Sequence, residues 1–230
     1  MKTNPFTLTF SLILGCLITT AATADEVATE GAEVGKWTMD YDAAVKLATE
    51  KKVPIMMNFT GSDWCGWCKL MDKTVFAGEE WKSFAAENVV LVTIDFPQDK
   101  SIVPEKFVGQ NEELKNKFGV RGYPTYVVLD SDGETKIGQL GAGKGKTPES
   151  FVKEFKRVVL TSPAGIEAYA KANPEKADAF KAAIQELEGV KQELDDWIAT
   201  KPQRNEENTK IFEGFKERIE AASAKLDEFE

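Results

Sequence analysis

The chain of 230 residues contains no histidine and only three cysteines. The lack of histidine excludes a cysteine–histidine catalytic pair, a zinc site that mixes thiolates with imidazoles, and an imidazole proton shuttle. Cys65 and Cys68 lie close together in sequence, and Cys16 stands apart near the N-terminus. Because a zinc site needs about four ligands, a chain with only Cys65, Cys68 and no histidine in its mature part cannot build any of the usual thiolate or thiolate–imidazole sites. We therefore predict no metal and no cofactor, and a metal site shared between two copies or completed by carboxylates stays an open alternative.

The chain also lacks an apolar run of the ~20 residues that a membrane-spanning helix needs. Residues 6–20 are mostly apolar, follow Lys2, and precede the small residues Ala22-Thr23-Ala24. This pattern predicts a signal peptide over residues 1–24 and an exported, periplasmic protein in a bacterium. An alternative is that residues 13–16 (ILGC) form a lipoprotein cleavage box, which would anchor the chain through a lipid on Cys16.

Positive charge is scarce, since 29 basic residues face 38 acidic ones and the formal net charge is −9. Removal of residues 1–24 would remove only Lys2 and make the net charge −10. A negative surface repels phosphate groups, so nucleic acid and anionic lipid are not expected as partners.

Hydrophobic patterning divides the remaining chain into three parts. Residues 25–36 are small, acidic and aperiodic, and are predicted to be a flexible lead-in. Residues 37–160 alternate helical patterns with short buried strands over 53–59, 89–96 and 126–129, followed by a turn and a further extended segment over 134–140. This order predicts an α/β domain with a central mixed β-sheet flanked by helices. Residues 161–230 carry two helical apolar stripes separated at Lys201-Pro202, which predicts a C-terminal α-helical hairpin extension.

The segment GSDWCGWCK, residues 61–69, raises the question of what Cys65 and Cys68 do. A disulfide across two residues closes a very small loop and would be a weak structural staple. At the start of a helix, the first cysteine would lie beside unpaired backbone N–H groups, which favour its thiolate. The second cysteine, one turn along, could attack a mixed disulfide and release a substrate. The spacing therefore favours a redox-active Cys65–Cys68 pair over a structural or metal-binding one.

Two motifs resemble the thioredoxin family: Trp64-Cys65-Gly66-Trp67-Cys68-Lys69 after a buried strand, and residues 120–125 (VRGYPT) before the next one. The resemblance covers about residues 36–160. Within it, the sequence around the cysteines is most similar to exported bacterial thioredoxin-like proteins. It implies a thioredoxin-like fold with Cys65 and Cys68 as catalytic residues.

The same resemblance implies roles for residues around the cysteines. Pro124 would follow a cis peptide bond, and Tyr123 would offer its backbone to substrate. Trp64 would contact substrate and pack beside the site. For Trp67 two interpretations stay open, an apolar docking patch on the surface or packing against the Tyr123 loop.

Two departures from the family concern proton transfer. Thioredoxins carry a buried aspartate in the strand before the cysteines, whereas this chain has Asn58, which cannot act as a base. The lysine that pairs with that aspartate is expected near Leu91 and is also missing. The resemblance therefore implies a slower resolving step.

These observations predict an exported thiol–disulfide oxidoreductase that acts on disulfide-containing exported proteins, as a reductant rather than as a strong oxidase. A membrane-bound reductase is the expected electron donor. The alternative is a non-catalytic thioredoxin-fold binding protein whose helical tail recruits a partner. The oligomeric state stays open, because the tail could pack on its own domain, on a second copy or on a partner helix.

Overall fold

The computed structural model describes residues 27–229, so the predictions for residues 1–24 and for Cys16 lie outside the described part. The strands are β1 (Trp37–Thr38), β2 (Ile55–Thr60), β3 (Val90–Asp95), β4 (Thr125–Leu129) and β5 (Lys136–Gly141). The helices are α1 (Tyr41–Lys51), α2 (Gly66–Met71), α3 (Glu79–Asn88), α4 (Glu105–Lys117), α5 (Pro148–Leu160), α6 (Pro163–Ala172), α7 (Ala177–Ala199) and α8 (Glu206–Leu226). A π-helical turn, Asp72–Phe76, continues α2, and a 3₁₀ turn, Asp227–Phe229, follows α8.

The five strands form one mixed sheet in the order β1-β3-β2-β4-β5. The strands β1, β3 and β2 run parallel, whereas β4 runs antiparallel to both β2 and β5. Every residue of β2 and β3 is buried, as expected for central strands covered by helices on both faces. The predicted mixed sheet flanked by helices is thereby confirmed.

The alternation of side chains along β2 separates two cores. Ile55, Met57 and Phe59 pack on one face with residues of α1 and α4. Met56 faces the other side, together with residues of α2, α3 and α5. Asn58 shares this second face, because it lies two residues after Met56. The helix that begins at the cysteines therefore covers a polar position of the central strand.

The C-terminal helices have a core of their own, which contains Phe180, Ile184, Leu187 and Leu226. Ion pairs Glu186–Lys225 and Glu193–Arg218 show that α7 and α8 run antiparallel, so the predicted hairpin is confirmed. The preceding helix α6 was not predicted.

The hairpin packs against the α/β domain beside α5. Asp227 forms ion pairs with Lys153, at 2.6 Å, and with Arg157. These bonds lower the pKa of the Asp227 carboxyl, with the Lys153 hydrogen bond as the largest cause. The tail therefore contacts its own domain, one of the arrangements considered from the sequence.

Residues 27–36 differ from the flexible lead-in that composition suggested. The Ala28 N–H donates to the Trp37 carbonyl at 2.9 Å, and the Gly35 N–H donates to the Val89 carbonyl at the same distance. Gly35 has a φ of 75°, and a Cβ there would lie 2.4 Å from the Ala86 backbone. Backbone hydrogen bonds and close approach, which composition does not reveal, hold this segment to the edge of the sheet.

Candidate redox site

The cysteine pair lies where β2 leads into α2. Cys65 is the N-cap of α2, and its sulfur accepts a hydrogen bond from the Cys68 N–H at 3.2 Å. The two residues form a disulfide, with Cα atoms 5.3 Å apart. Cys65 is 5% exposed and Cys68 1%, so Cys65 is the more accessible residue of the pair. In the reduced form, the helix end stabilises negative charge on Cys65, the position predicted for the attacking thiolate.

The two tryptophans that flank the cysteines are exposed, Trp64 at 44% and Trp67 at 50%. The Trp64 indole N–H donates to the Phe96 carbonyl at 2.8 Å, and its ring meets Tyr123 edge to face at 5.8 Å. Trp67 lines a shallow groove together with Tyr123 and Pro124. Trp67 is therefore on the surface and also borders the Tyr123 loop, and its role as a docking patch stays a prediction.

The second motif lies at the start of β4. The Tyr123–Pro124 peptide bond is cis, as the family resemblance implies, and Pro124 is buried. Tyr123 stacks on Phe96 at 5.3 Å between ring centroids. Pairing of Thr125 with Phe59 brings this loop beside the strand that carries the cysteine segment. The structure therefore brings Trp64, Trp67, Tyr123 and Pro124 together at the disulfide.

The loop before the cysteines is fixed by hydrogen bonds that sequence reasoning missed. The N–H and hydroxyl of Ser62 both donate to the Asp95 carboxylate, at 2.9 and 2.5 Å. Asp63 accepts from the backbone N–H groups of Gln98 and Asp99. The Asp99 bond is the largest cause of a lowered pKa of the Asp63 carboxyl. No local sequence pattern predicts these hydrogen bonds, because they depend on the register between β2 and β3.

A group of buried polar atoms lies on the sheet face beneath α2. Asn58 is 5% exposed and pairs across the sheet with Tyr126 on β4 and with Thr93 on β3. Among residues 27–229, nothing hydrogen-bonds to Asn58 Oδ1, Thr60 Oγ1 or the Tyr126 hydroxyl. No lysine stands opposite Asn58, and Leu91 instead pairs with Met56 in the apolar layer. The proton-accepting pair of thioredoxins is thus missing from both positions.

A carboxylate stands near this group on the cysteine helix itself. Asp72 is four residues after Cys68, and its N–H donates to the Cys68 carbonyl. The outer side of Asp72 is open to solvent, yet burial against the protein, followed by the negative charge of Asp95, raises its pKa to about 6. Burial likewise raises the pKa of Tyr126, with a smaller contribution from Asp72. Sequence analysis gave Asp72 no role.

The part of the chain that the structure describes contains no cluster of three or more acidic, cysteine or histidine side chains fit for a metal. Within residues 27–229, no helix is both long and apolar enough to cross a bilayer.

The chain belongs to the thioredoxin-like family, because the family model described as a thioredoxin-like domain matches residues 41–158. It is 36% identical over 105 residues to the disulfide bond reductase DsbH of Chlamydia pneumoniae, covering 46% of this chain and 62% of the relative. It is 29% identical over 111 residues to the thioredoxin-related protein DsbJ of the same organism, covering 48% of this chain and 31% of the relative. A solved structure titled DsbH oxidoreductase superposes with a TM-score of 0.50 at 30% identity, covering 57% of this chain and 90% of that one.

The chain therefore spans less than two thirds of the length of the curated relatives that it matches. The matched region holds strands β2 to β5 and the cysteine pair, and it ends before the C-terminal helices α6 to α8.

Proposed function

We propose that this protein is an exported thiol–disulfide oxidoreductase that reduces disulfides in other exported proteins. The observation that carries the proposal is the Cys65–Cys68 disulfide at the N-terminus of α2, bordered by the cis-Pro124 loop and two exposed tryptophans. Likeness to a relative named a disulfide bond reductase supports the reducing direction. The pattern of residues 1–24 supports export.

The chemistry proceeds in two displacements. The Cys65 thiolate attacks one sulfur of a substrate disulfide, forms a mixed disulfide and expels the other substrate sulfur as a thiolate. The Cys68 thiol then loses its proton and attacks the Cys65 sulfur, which releases the second substrate thiol. The substrate gains two electrons and two protons, and Cys65–Cys68 becomes the disulfide. A dithiol donor, proposed to be a membrane-bound reductase, would reduce the pair again.

Substrate would bind across the groove beside the disulfide. Trp67, Tyr123 and Pro124 line this groove, and Trp64 closes one side through its contact with Tyr123. Exposed indole rings offer a large apolar contact area together with a polar N–H, which suits the binding of apolar side chains of a substrate.

Trapping of partners tests the site assignment. A Cys68→Ser variant should retain Cys65 and accumulate mixed disulfides with exported proteins, because the resolving thiol is gone. A Cys65→Ser/Cys68→Ser variant is the matched control and should trap none. Equal recovery of partners from both variants would show non-covalent binding, as the non-catalytic alternative requires.

The reduction potential of Cys65–Cys68 tests the direction. The protein is equilibrated with glutathione mixtures, alkylated and weighed by mass spectrometry. A potential near the roughly −270 mV of thioredoxin would support a reductant, whereas about −120 to −180 mV would mark an oxidase or isomerase. Absence of any reversible couple would contradict the oxidoreductase proposal altogether.

A further inference from the structure

The resolving step of the proposed reaction needs a group that takes the proton of Cys68. At 1% exposure, this thiol has little direct access to water, and burial disfavours its thiolate. Asn58 lies on the sheet face that α2 covers, two residues after Met56, and its amide cannot accept the proton. Asp95 is buried nearby, but its carboxylate already accepts two hydrogen bonds from Ser62.

We infer that Asp72 is the proton acceptor for Cys68, acting through a water molecule held by Asn58, Thr60 and Tyr126. This inference rests on the proposed function, because it assigns a residue to the second displacement.

The position of Asp72 supports the role. It lies four residues after Cys68, where side chains of a helix share one face. Within residues 27–229 its carboxylate has no hydrogen-bond donor, so the acceptor is uncommitted, unlike that of Asp95. Met71, the residue before Asp72, packs in the same core as Tyr126, so Asp72 lies at the border of this core, and its charge contributes to the raised pKa of Tyr126.

The buried polar atoms supply the connection. Asn58 and Tyr126 are direct cross-strand neighbours, and Thr60 is the next residue of β2 on the same face. All three present an oxygen with no partner among the described residues. Buried polar groups of this kind hold ordered water when two to four of them converge. Such a water could pass the proton from the Cys68 thiol toward Asp72.

The surrounding charges fit a base that works near neutral pH. Asp95 on β3 is negative and adds to the raised pKa of Asp72, while Tyr126 on β4 stays neutral because its own pKa is raised. The helices α3 and α5 present the apolar rings of Trp81 and Phe151 to the π-helical turn. A base with a pKa of about 6 is ionised at neutral pH and still accepts protons readily.

The proton and electron balance of the step is complete. The S–H bond of Cys68 breaks, and its proton passes to the Asp72 carboxylate. The Cys68 sulfur bonds to the Cys65 sulfur as the bond from Cys65 to the substrate sulfur breaks. The released substrate thiolate takes up a proton, and Asp72 returns its own to solvent.

The experiment uses 5,5′-dithiobis(2-nitrobenzoate) with the reduced full-length protein. Attack by Cys65 releases one coloured thiolate in a phase that depends on reagent concentration. Attack by Cys68 on the mixed disulfide then releases a second coloured thiolate in a first-order phase, whose rate does not depend on reagent concentration. The rate constant of this second phase is measured from pH 4 to 9 for the wild type, Asp72→Asn, Asp72→Asn/Asn58→Asp, and Glu80→Gln.

For the wild type we expect the second phase to lose rate as pH falls through about 6. Asp72→Asn should be about tenfold slower at pH 7, less than the roughly 100-fold lower limit of a directly placed general base, because the base acts through water. In this variant the rate constant of the second phase should already decrease as the pH is lowered through about 8.5, the ordinary pKa of a thiol. The double variant places a carboxylate at the strand position and should recover most of the loss. Glu80→Gln removes an exposed carboxylate on α3, with the same change of net charge, and should match the wild type.

The inference is overturned if Asp72→Asn shows the wild-type pH profile, if it is faster, or if it slows by the same factor at every pH. The first phase separates this failure from that of the proposed function. A wild-type protein with no second phase would have no resolving cysteine, which would contradict the oxidoreductase proposal itself.

Discussion

Asp72 also bears on stability. Its pKa is raised in the folded protein, so the folded state favours the protonated form. The stability that this provides is fully present below the unfolded value of about 4 and is lost as pH rises through about 6. The ionised carboxylate therefore destabilises the protein at neutral pH.

We expect Asp72→Asn to raise the free energy of unfolding of the oxidised protein at pH 8 by about 1 kcal/mol, after allowance for the solvent-open side of the residue. The gain should vanish below pH 4. Denaturant titrations at pH 4, 6 and 8 measure it, with Glu80→Gln as the control. A variant that is less stable than the wild type at pH 8 would contradict the expected sign.

Gly61 is required by the close approach of Trp64. A Cβ at residue 61 would lie 2.4 Å from the indole ring, whose N–H bonds to Phe96. Gly61→Ala should displace the ring, cost about 1–3 kcal/mol of unfolding free energy and slow reduction of a protein substrate. Gly109→Ala on α4 is the matched control, since nothing lies within 4 Å of its Cβ. It should be neutral or stabilising by up to about 1 kcal/mol. Equal effects of the two variants would contradict the role of Gly61.

At the scale of helices and strands, the tail and the α/β domain have separate apolar cores. Leu226 is fully buried in the tail core, whereas Asp227 lies in a partly exposed ion-pair cluster with α5. A buried leucine truncated to alanine costs about 2–5 kcal/mol, and an exposed ion pair contributes at most about 1 kcal/mol.

Leu226→Ala should therefore loosen α7 and α8 strongly, and Asp227→Ala only slightly. Hydrogen exchange followed by mass spectrometry should show faster exchange in the tail of Leu226→Ala, with little change in β2 and β3. The rate at which Cys65 reacts with the nitrobenzoate disulfide should stay within about twofold of the wild type in both variants. A large loss of that rate would show that the tail supports the redox site.

The elements that sequence reasoning found are those with strong local signals. Helix α5 was predicted from Thr147-Pro148, and the structure has the capping box of Thr147 with Ser150 there. Strands β2, β3 and β4 were predicted from short apolar runs, because central strands are buried on both faces.

The missed elements differ in whether a signal existed. Helix α6 begins with Ser162-Pro163, the same type of start as α5, and could have been predicted. Strand β1 is only Trp37–Thr38 and owes its existence to pairing with β3, so no local pattern announces it.

At the redox site too, some features have a local sequence signal and others depend on strand pairing. The cysteine pair and Pro124 came from motifs with fixed spacing. The Ser62–Asp95 hydrogen bonds and the polar atoms beneath α2 come from the register of three strands, which one sequence does not give. Asp72 was visible as a residue, but its raised pKa depends on what packs around it.

At the scale of the whole molecule, the excess of acidic residues should select among substrates. A formal charge of −9 attracts cationic peptides and repels anionic ones, and salt screens both effects over about 8–10 Å.

We expect the second-order rate constant for reduction of a lysine-rich disulfide peptide by the protein to fall several-fold between about 20 and 500 mM salt. Over this range the Debye screening length shortens from about 20 to about 4 Å. With a glutamate-rich peptide of the same length the rate constant should rise. Identical salt responses of the two peptides would show that local contacts at the groove, and not the overall field, decide encounter.

The placement of the five tryptophans has a spectroscopic consequence. Trp64 and Trp67 flank the disulfide, where a nearby sulfur bridge quenches indole emission. Trp197 lies on α7 and packs against Phe212 and Phe215 of α8. The fluorescence of Trp64 and Trp67 therefore responds to the redox state, and that of Trp197 reports on the hairpin. Variants that keep a single tryptophan would follow the two parts of the molecule separately in the same titration.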